Sequence, residues 1–296
     1  MTDLRRTRAL AFLALLFGGA AIGFSAIFVR LADVGPLQSA FWRVALALPF
    51  LALWAGWTLR RERARSTCAP PPRMSLAPLL AAGAFFAGDL AFWHLSIAYT
   101  TVANASLLAN CAPVFVALGG WWLFGQRVSR LFLVALAISL AGAVLLVGPS
   151  FRSEGMRLTG DAFGAVTAMF YGAYFLAIWR SRGSCSTAAV MALSSAVSAA
   201  LLLPLALAWE GPLLAQSGRG WLVLLGLAMI PHVAGQSLLA YSMAHLPASL
   251  SALSLLFQPV FAAAYALLIL GETMGAVQMT GGAIVLAGIY LARRWS

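Results

Sequence analysis

Residues 98–147, AYTTVANASLLANCAPVFVALGGWWLFGQRVSRLFLVALAISLAGAVLLV, decide how the chain is built. They return as residues 244–293, AHLPASLSALSLLFQPVFAAAYALLILGETMGAVQMTGGAIVLAGIYLAR, at a constant shift of 146 positions and without a gap. Pro113-Val114-Phe115 falls on Pro259-Val260-Phe261, and Gly125-Gln126 on Gly271-Glu272. Ala137-Ile138 falls on Ala283-Ile284, and Leu140-Ala141-Gly142 on Leu286-Ala287-Gly288. Each copy reads as an apolar helix with a proline near its middle, a tight glycine turn, and a second apolar helix with a glycine near its end. Apolar composition alone does not hold register through two helices and a turn, so the pair is a duplicated unit.

The rest of the chain has the same character. It is 62% hydrophobic and 9% charged, with a mean hydropathy of +0.92, more apolar than a soluble core requires. Several runs reach the roughly 18 residues needed to cross a hydrocarbon layer about 30 Å thick. Helices, not barrel strands, fit runs of that length. Ten spans are expected, at 9–29, 35–59, 75–98, 102–124, 131–148, 160–179, 187–209, 221–243, 248–270 and 275–292. The connections are short except at 60–74, a basic, proline-rich loop, and 149–159.

The net charge of +11 follows from positive-inside loops and does not call for nucleic acid. Every basic residue is Arg. With the N-terminus in the cytoplasm, inner segments hold 14 of the 19 and outer segments four, Arg30, Arg152, Arg157 and Arg219, while Arg43 lies inside the second span. Both termini are therefore expected in the cytoplasm of a multi-pass plasma-membrane (bacterial inner-membrane) protein. The apolar run after Arg5, Arg6 and Arg8 continues to Val29, long enough to span and too long for a cleaved signal. Ten spans divide into five and five, at residues 1–148 and 149–296, and an odd number per copy inverts the second copy. The expected fold is all-α and integral to the membrane: two inverted five-helix repeats around a central cavity, the architecture of secondary transporters.

The pattern Tyr241-Ser242-Met243-Ala244, Ser249-Leu250-Ser251-Ala252-Leu253, Gln258-Pro259, Gly271-Glu272, Gly281 and Gly288 resembles the EamA-type repeat of the drug/metabolite transporter superfamily. The first copy matches through Ala98, Tyr99, Ala103, Pro113, Gly125 and Gly142, and the early helices more loosely through Phe41-Trp42-Arg43. Gln126 departs from the pattern, whose turn carries Glu; Glu272 keeps it. The resemblance covers nearly the whole chain and implies ten helices, a central cavity, and export or exchange of small metabolites, commonly amino acids.

Ionisable groups inside a membrane cost about 2.5–3.5 kcal/mol each at mid-helix and so ask for a reason. They are few: Arg43, Asp89, His94 and His232. Counting helix rise puts Asp89 about 21 Å and His232 about 17 Å into their spans. Asn110, Tyr171 and Gln258 fall at the same level. Five polar side chains on five helices at one depth are expected to face a common cavity, the alternative being bonds between neighbouring helices. Trp93 shares the face of Asp89, and Gln236 that of His232. The expected substrate-binding set is Asp89, Trp93, Asn110, Tyr171, His232, Gln236 and Gln258. Pro113, Pro231 and Pro259 are expected to bend their helices and to let one half rock on the other. His94 lies near an outer helix end and reads as a wet, structural residue. Arg43 reads as structural too, pairing with Asp33 or extending outward along its stem. The other tryptophans, except Trp42, fall near span ends as an interfacial belt.

Cys68, Cys111 and Cys185 have no metal-ligand spacing. Gly23-Phe24-Ser25 lacks a base that would make the serine a nucleophile, so no catalytic residue, cofactor or metal is expected. Gly281, Val285 and Gly288 suit close packing, within the chain or between two copies. The expected function is a secondary exporter of small organic metabolites, amino acids above all, working by alternating access with lipid as its surroundings. Asp89 or another polar group would hold an ammonium, with Trp93 and Tyr171 over an apolar side chain. The rivals are a proton-coupled exporter of lipophilic cations and a non-transporting membrane scaffold.

Overall fold

A computed structural model of the chain describes residues 2–65, 76–100, 102–125, 129–154, 158–181, 186–211, 213–246, 248–270 and 275–294. Most of the expected basic loop, Gln126, Gly271-Glu272, Cys68, Cys185 and Trp295 lie outside them.

The first half holds α1 (Thr2–Gly23), α2 (Ser25–Leu31), α3 (Pro36–Ala45), α4 (Leu48–Arg65), α5 (Leu76–Tyr99), α6 (Val102–Ala109), α7 (Ala112–Phe124) and α8 (Arg130–Glu154). The second holds α9 (Leu158–Ser181), α10 (Thr187–Glu210), α11 (Gly218–Leu227), a π segment (Ala228–Gln236), α12 (Ser237–Met243), α13 (Ala248–Leu253), a 3-10 turn (Ser254–Leu256), α14 (Phe257–Leu270) and α15 (Ala276–Arg294). Among the described residues seven helical stretches are long and apolar enough to cross a membrane: Arg6–Leu31, Pro36–Arg61, Leu76–Tyr99, Ala105–Phe124, Leu158–Ser181, Thr187–Glu210 and Gly218–Met243. Two shorter apolar helices, Arg130–Leu145 and Ala276–Ala292, accompany them.

Surface and interior are reversed relative to a water-soluble protein. Leu53, Trp122 and Leu222 are exposed, whereas Arg43, Asp89, His94 and His232 are buried. That arrangement fits a hydrocarbon surround.

Several of these stretches are interrupted, and the three expected prolines sit at or beside interruptions. Pro113 lies in the first turn of α7, after the chain loses helix at Asn110-Cys111. There a missing N–H leaves no intrahelical bond unmade. Pro259 opens α14 in the same way, after the 3-10 turn. Pro231 lies inside the π segment, where winding through i→i+5 absorbs the bond it cannot donate. A further break, without proline, separates α1 from α2 at Phe24.

The halves interlock. α5 packs along α9 and α10, α8 along α15, α3 against α10, and α1 against the π segment, α12 and α14. A Cβ added at Gly142 of α8 would meet Gly281 and Val285 of α15; one added at Gly288 would meet Ala135 and Ser139 of α8. Contacts that climb one helix while descending the other make the pair antiparallel. The small-residue face of Gly281, Val285 and Gly288 is thus engaged inside the chain. Ser96 donates to the Gly160 carbonyl (2.7 Å) and Ser242 to the Ala11 carbonyl (2.8 Å), each a hydroxyl bonding the opening helix of the other half.

One end of the bundle is tied by a carboxylate. Glu210, at the end of α10, accepts from the backbone N–H groups of Leu37 (2.9 Å) and Gln38 (2.8 Å) in the first turn of α3. Gln38 Nε2 returns a bond to the Glu210 carbonyl (3.2 Å), and Trp42 Nε1 donates to the Leu213 carbonyl (2.6 Å). Asp33, one of the two outlets considered for Arg43, instead accepts from Ser217 (2.7 Å). His94, expected in water, is fully buried with Nδ1 2.7 Å from Ser39 Oγ, because α3 covers that end of α5. Glu210→Ala removes the acceptor for two helix-start donors. It is expected to cost about 1–2 kcal/mol, read as a fall of a few degrees in the melting midpoint of the purified protein, with Glu210→Gln losing less.

Candidate substrate cavity

A cavity of about 60 Å³ opens where the helices are interrupted. Ile22, Gly23, Ser25 and Ala26 come from the break between α1 and α2, and Ser106, Ala109 and Asn110 from the end of α6. Gln236 ends the π segment, and Gln258 and Pro259 begin α14. Arg43 of α3, Asp89, Leu90 and Trp93 of α5, and Tyr171 of α9 complete the wall. Irregular helix at membrane depth is tolerated where it faces a cavity, and these interruptions do.

The expected set divides. Asp89, Trp93, Asn110, Tyr171, Gln236 and Gln258 line the cavity, as does Pro259. His232 does not, nor do Pro113 and Pro231. His232 is fully buried behind the wall. Its ring stacks on Phe86 (centroids 5.3 Å, 18°), and Nε2 lies 2.8 Å from Ser195 Oγ. Counting along a span carries no information about which way a side chain faces.

Three polar groups join the set unforeseen. Ser25 sits at the break that the sequence marks only as Gly23-Phe24-Ser25. Ser106 is one turn before Asn110, whose Nδ2 donates to its carbonyl (2.6 Å). Arg43, read as structural, turns inward: it is buried, with its guanidinium carbon 6.0 Å from the ring centroids of both Phe86 and Trp93. The signal was available, since the rule that singles out Asp89, an ionisable group deep in an apolar span, applies equally to Arg43.

Buried polar atoms are normally bonded. Here Ser25 Oγ, Arg43 Nε, Gln236 Oε1 and Gln258 Nε2 are buried without a hydrogen-bond partner among the described residues, and all four residues line this one cavity. Gln236 Nε2 reaches Tyr171 Oη at 3.5 Å, a long bond. A site with donors and acceptors held ready for a polar guest has this appearance. At 60 Å³ it admits a few waters, far below the roughly 300–1,000 Å³ of sites for larger ligands, so a metabolite needs the walls to part. Among the described residues no group of three His, Cys, Asp or Glu could hold a metal ion.

Known proteins share this architecture. The EamA-like transporter family matches residues 9–148 and again 158–294. An uncharacterized transporter of Archaeoglobus fulgidus is 27% identical over 275 residues, 90% of this chain and 91% of the relative. The pseudopaline exporter CntI of Pseudomonas aeruginosa is 28% identical over 223 residues, 75% of this chain and 76% of the relative. A crystal structure at 20% identity superposes with a TM-score of 0.74, covering 98% of this chain and 99% of that one, a likeness of fold. The chain is a multi-pass membrane protein and belongs to the EamA-like transporter family.

Proposed function

We propose that this transporter exports small organic metabolites, amino acids above all, from the cytoplasm across the plasma membrane by alternating access. The carrying observation is the cavity itself: a buried carboxylate, Asp89, beside Trp93 and Tyr171, with amide and hydroxyl groups at the helix breaks around it. Asp89 holds the substrate ammonium, the two aromatic rings cover its side chain, and Asn110, Gln236 and Gln258 orient it. In the proposed topology ten crossings form two inverted halves, residues 1–148 and 149–296, with both termini in the cytoplasm.

Three features support that topology. Residues 146 apart meet or make equivalent bonds: Phe86 stacks on His232, and Ser96 and Ser242 each bond the opening helix of the opposite half. Gly142 and Gly288 approach equivalent residues of each other's helix, in antiparallel sense. Exchanging the halves maps the packing of α5 on α9 onto that of the π segment and α12 on α1. Reciprocal contacts of this kind are what a two-fold axis in the membrane plane produces. Rocking of one half on the other at Pro113, Pro231 and Pro259 would expose the cavity to each side in turn.

The test is export from liposomes loaded with labelled amino acids, with pseudopaline, the compound in a relative's name, in the panel. Loss of label above that from protein-free vesicles is expected for at least one amino acid. Retention of every one, beside a working control transporter, removes the assignment. A second reading, proton-coupled export of lipophilic cations, draws on the same Asp89 between aromatic rings. Arg43 in the same wall opposes it, since a lone cation gains nothing beside a guanidinium.

A further inference from the structure

We infer that Arg43 is the anion-binding half of the substrate site. The cargo class is therefore molecules carrying a carboxylate and an ammonium a few atoms apart, and not amines alone. This rests on the exporter reading above and narrows it.

Arg43 is 3% exposed, sits deep in an apolar stretch and lines the cavity. A guanidinium has five N–H donors and stays charged in a protein. Among the described residues it makes no hydrogen bond and no ion pair within 4.0 Å, and its Nε is sealed from solvent. Asp33, a carboxylate near the start of its helix, is bonded to Ser217 instead. Asp89 shares the wall with Arg43 without closing an ion pair on it. The rings of Phe86 and Trp93, each 6.0 Å from the guanidinium carbon, attract the charge through their faces. They accept none of its N–H bonds in the way an oxygen would.

A buried, permanently charged fork without an acceptor is completed by a planar anion, and a carboxylate fits it through two parallel bonds. The opposite charge, Asp89, stands in the same small cavity, so the two ends of a zwitterion find complementary partners. Because both protein charges are already desolvated, a ligand lacking either end leaves the corresponding group unanswered. Discrimination by such an omission is large. Phosphate monoesters fit less well, since among the described residues Arg43 is the one basic residue in the wall and Asp89 repels a dianion.

The experiment measures displacement of labelled L-leucine from purified protein in detergent by unlabelled L-leucine, leucinamide, isoamylamine and 4-methylpentanoate, alongside the vesicle export assay. Leucinamide and isoamylamine keep the ammonium and lose the carboxylate charge; 4-methylpentanoate keeps only the carboxylate. Each is expected to displace at least tenfold more weakly than leucine. Arg43→Gln is expected to weaken leucine at least tenfold and not to weaken isoamylamine, which loses a like-charged neighbour, and Arg43→Lys to recover part of the leucine loss.

Equal displacement by leucine and leucinamide on the wild-type protein overturns the inference, and needs no variant to fold. So does unchanged leucine binding by monodisperse Arg43→Gln. If vesicles export leucine and leucinamide displaces equally, the anion site fails and the exporter reading stands. If the wild type exports and binds no amino acid, both fall.

Discussion

Asp89→Asn is expected to abolish the proposed amino-acid export in vesicles, by two orders of magnitude or more, while the protein remains monodisperse. Asn keeps the shape of the side chain and removes the charge, so the change isolates electrostatics from packing. Asp89 is buried in the cavity wall together with Arg43. Removing one charge of a desolvated, hydrogen-bonded pair, here the carboxylate that would meet the bound ammonium, costs about 2–5 kcal/mol, roughly 30- to 4,000-fold in rate or affinity at 1.4 kcal/mol per decade. Two losses combine here: the substrate ammonium has no anion to meet, and the Arg43 charge has nothing nearby to offset it. Arg43→Gln with Asp89→Asn removes both charges, and is expected to restore folding stability but not export. Full export by Asp89→Asn at saturating and limiting substrate would exclude the carboxylate from binding. The same variant separates the rival reading. If Asp89 carries a proton in exchange for a lipophilic cation, the dependence of wild-type transport on pH disappears in Asp89→Asn. A profile of unchanged shape rules that role out.

The repeat was readable because it lies in the order of residues, which register preserves and composition does not imitate. Contacts that a two-fold relation would produce are present: Phe86 meets His232, and Gly142 and Gly288 each approach the opposite helix. Most polar members of the cavity wall were also readable, since polar groups are rare enough inside apolar spans to stand out. Direction was not. Depth counting put His232 near the level of Asp89, but the helix turns it to Phe86 and Ser195. The π segment compounds the error, because with more residues per turn, residues four apart such as His232 and Gln236 no longer share the face an α-helix gives them. His94 was misplaced by counting from the end of its own helix, with no account of α3 lying across it. Arg43 was misread because a long side chain has two answers to burial, reaching out or finding a partner inside, and only the packed structure chooses. Residues 146 away from the polar wall are mostly apolar or small: Gly235 for Asp89, Leu239 for Trp93, Leu256 for Asn110, Ala112 for Gln258. In the proposed topology the scaffold is paired and the candidate site is where the pairing lapses, so repeat analysis points to the first and polar exceptions to the second.

Gly142→Val and Gly288→Val should each destabilise the protein by about 3 kcal/mol or more, and by nearly equal amounts. Between helices in lipid there is no hydrophobic drive to association, so close packing of small residues holds α8 to α15. A Cβ at Gly142 would stand 2.7 Å from the Val285 nitrogen and 2.8 Å from the Gly281 carbonyl oxygen. Both are backbone atoms, so no side-chain rotation relieves the clash and the helices must separate. At Gly288 the added atom would strike Ser139 Oγ and lie 3.0 Å from the Ala135 carbonyl oxygen and the Ser139 nitrogen, a tight approach to backbone. Overpacking of this kind costs about 1–3 kcal/mol where neighbours yield, and more where they cannot. At roughly 2–4 °C per kcal/mol, the melting midpoint of the purified protein falls by about 10 °C. Gly56, in α4, has nothing within 4 Å of an added Cβ. Gly56→Ala should therefore be neutral or raise the midpoint, by up to the roughly 1 kcal/mol that helix propensity favours Ala over Gly. The equality at 142 and 288 is the sharper half of the prediction. Two positions in unlike surroundings would differ as core substitutions ordinarily do, by factors of two or more. Positions exchanged by a two-fold axis meet the same geometry, and a large effect at one with none at the other would break the axis on which the proposed topology stands.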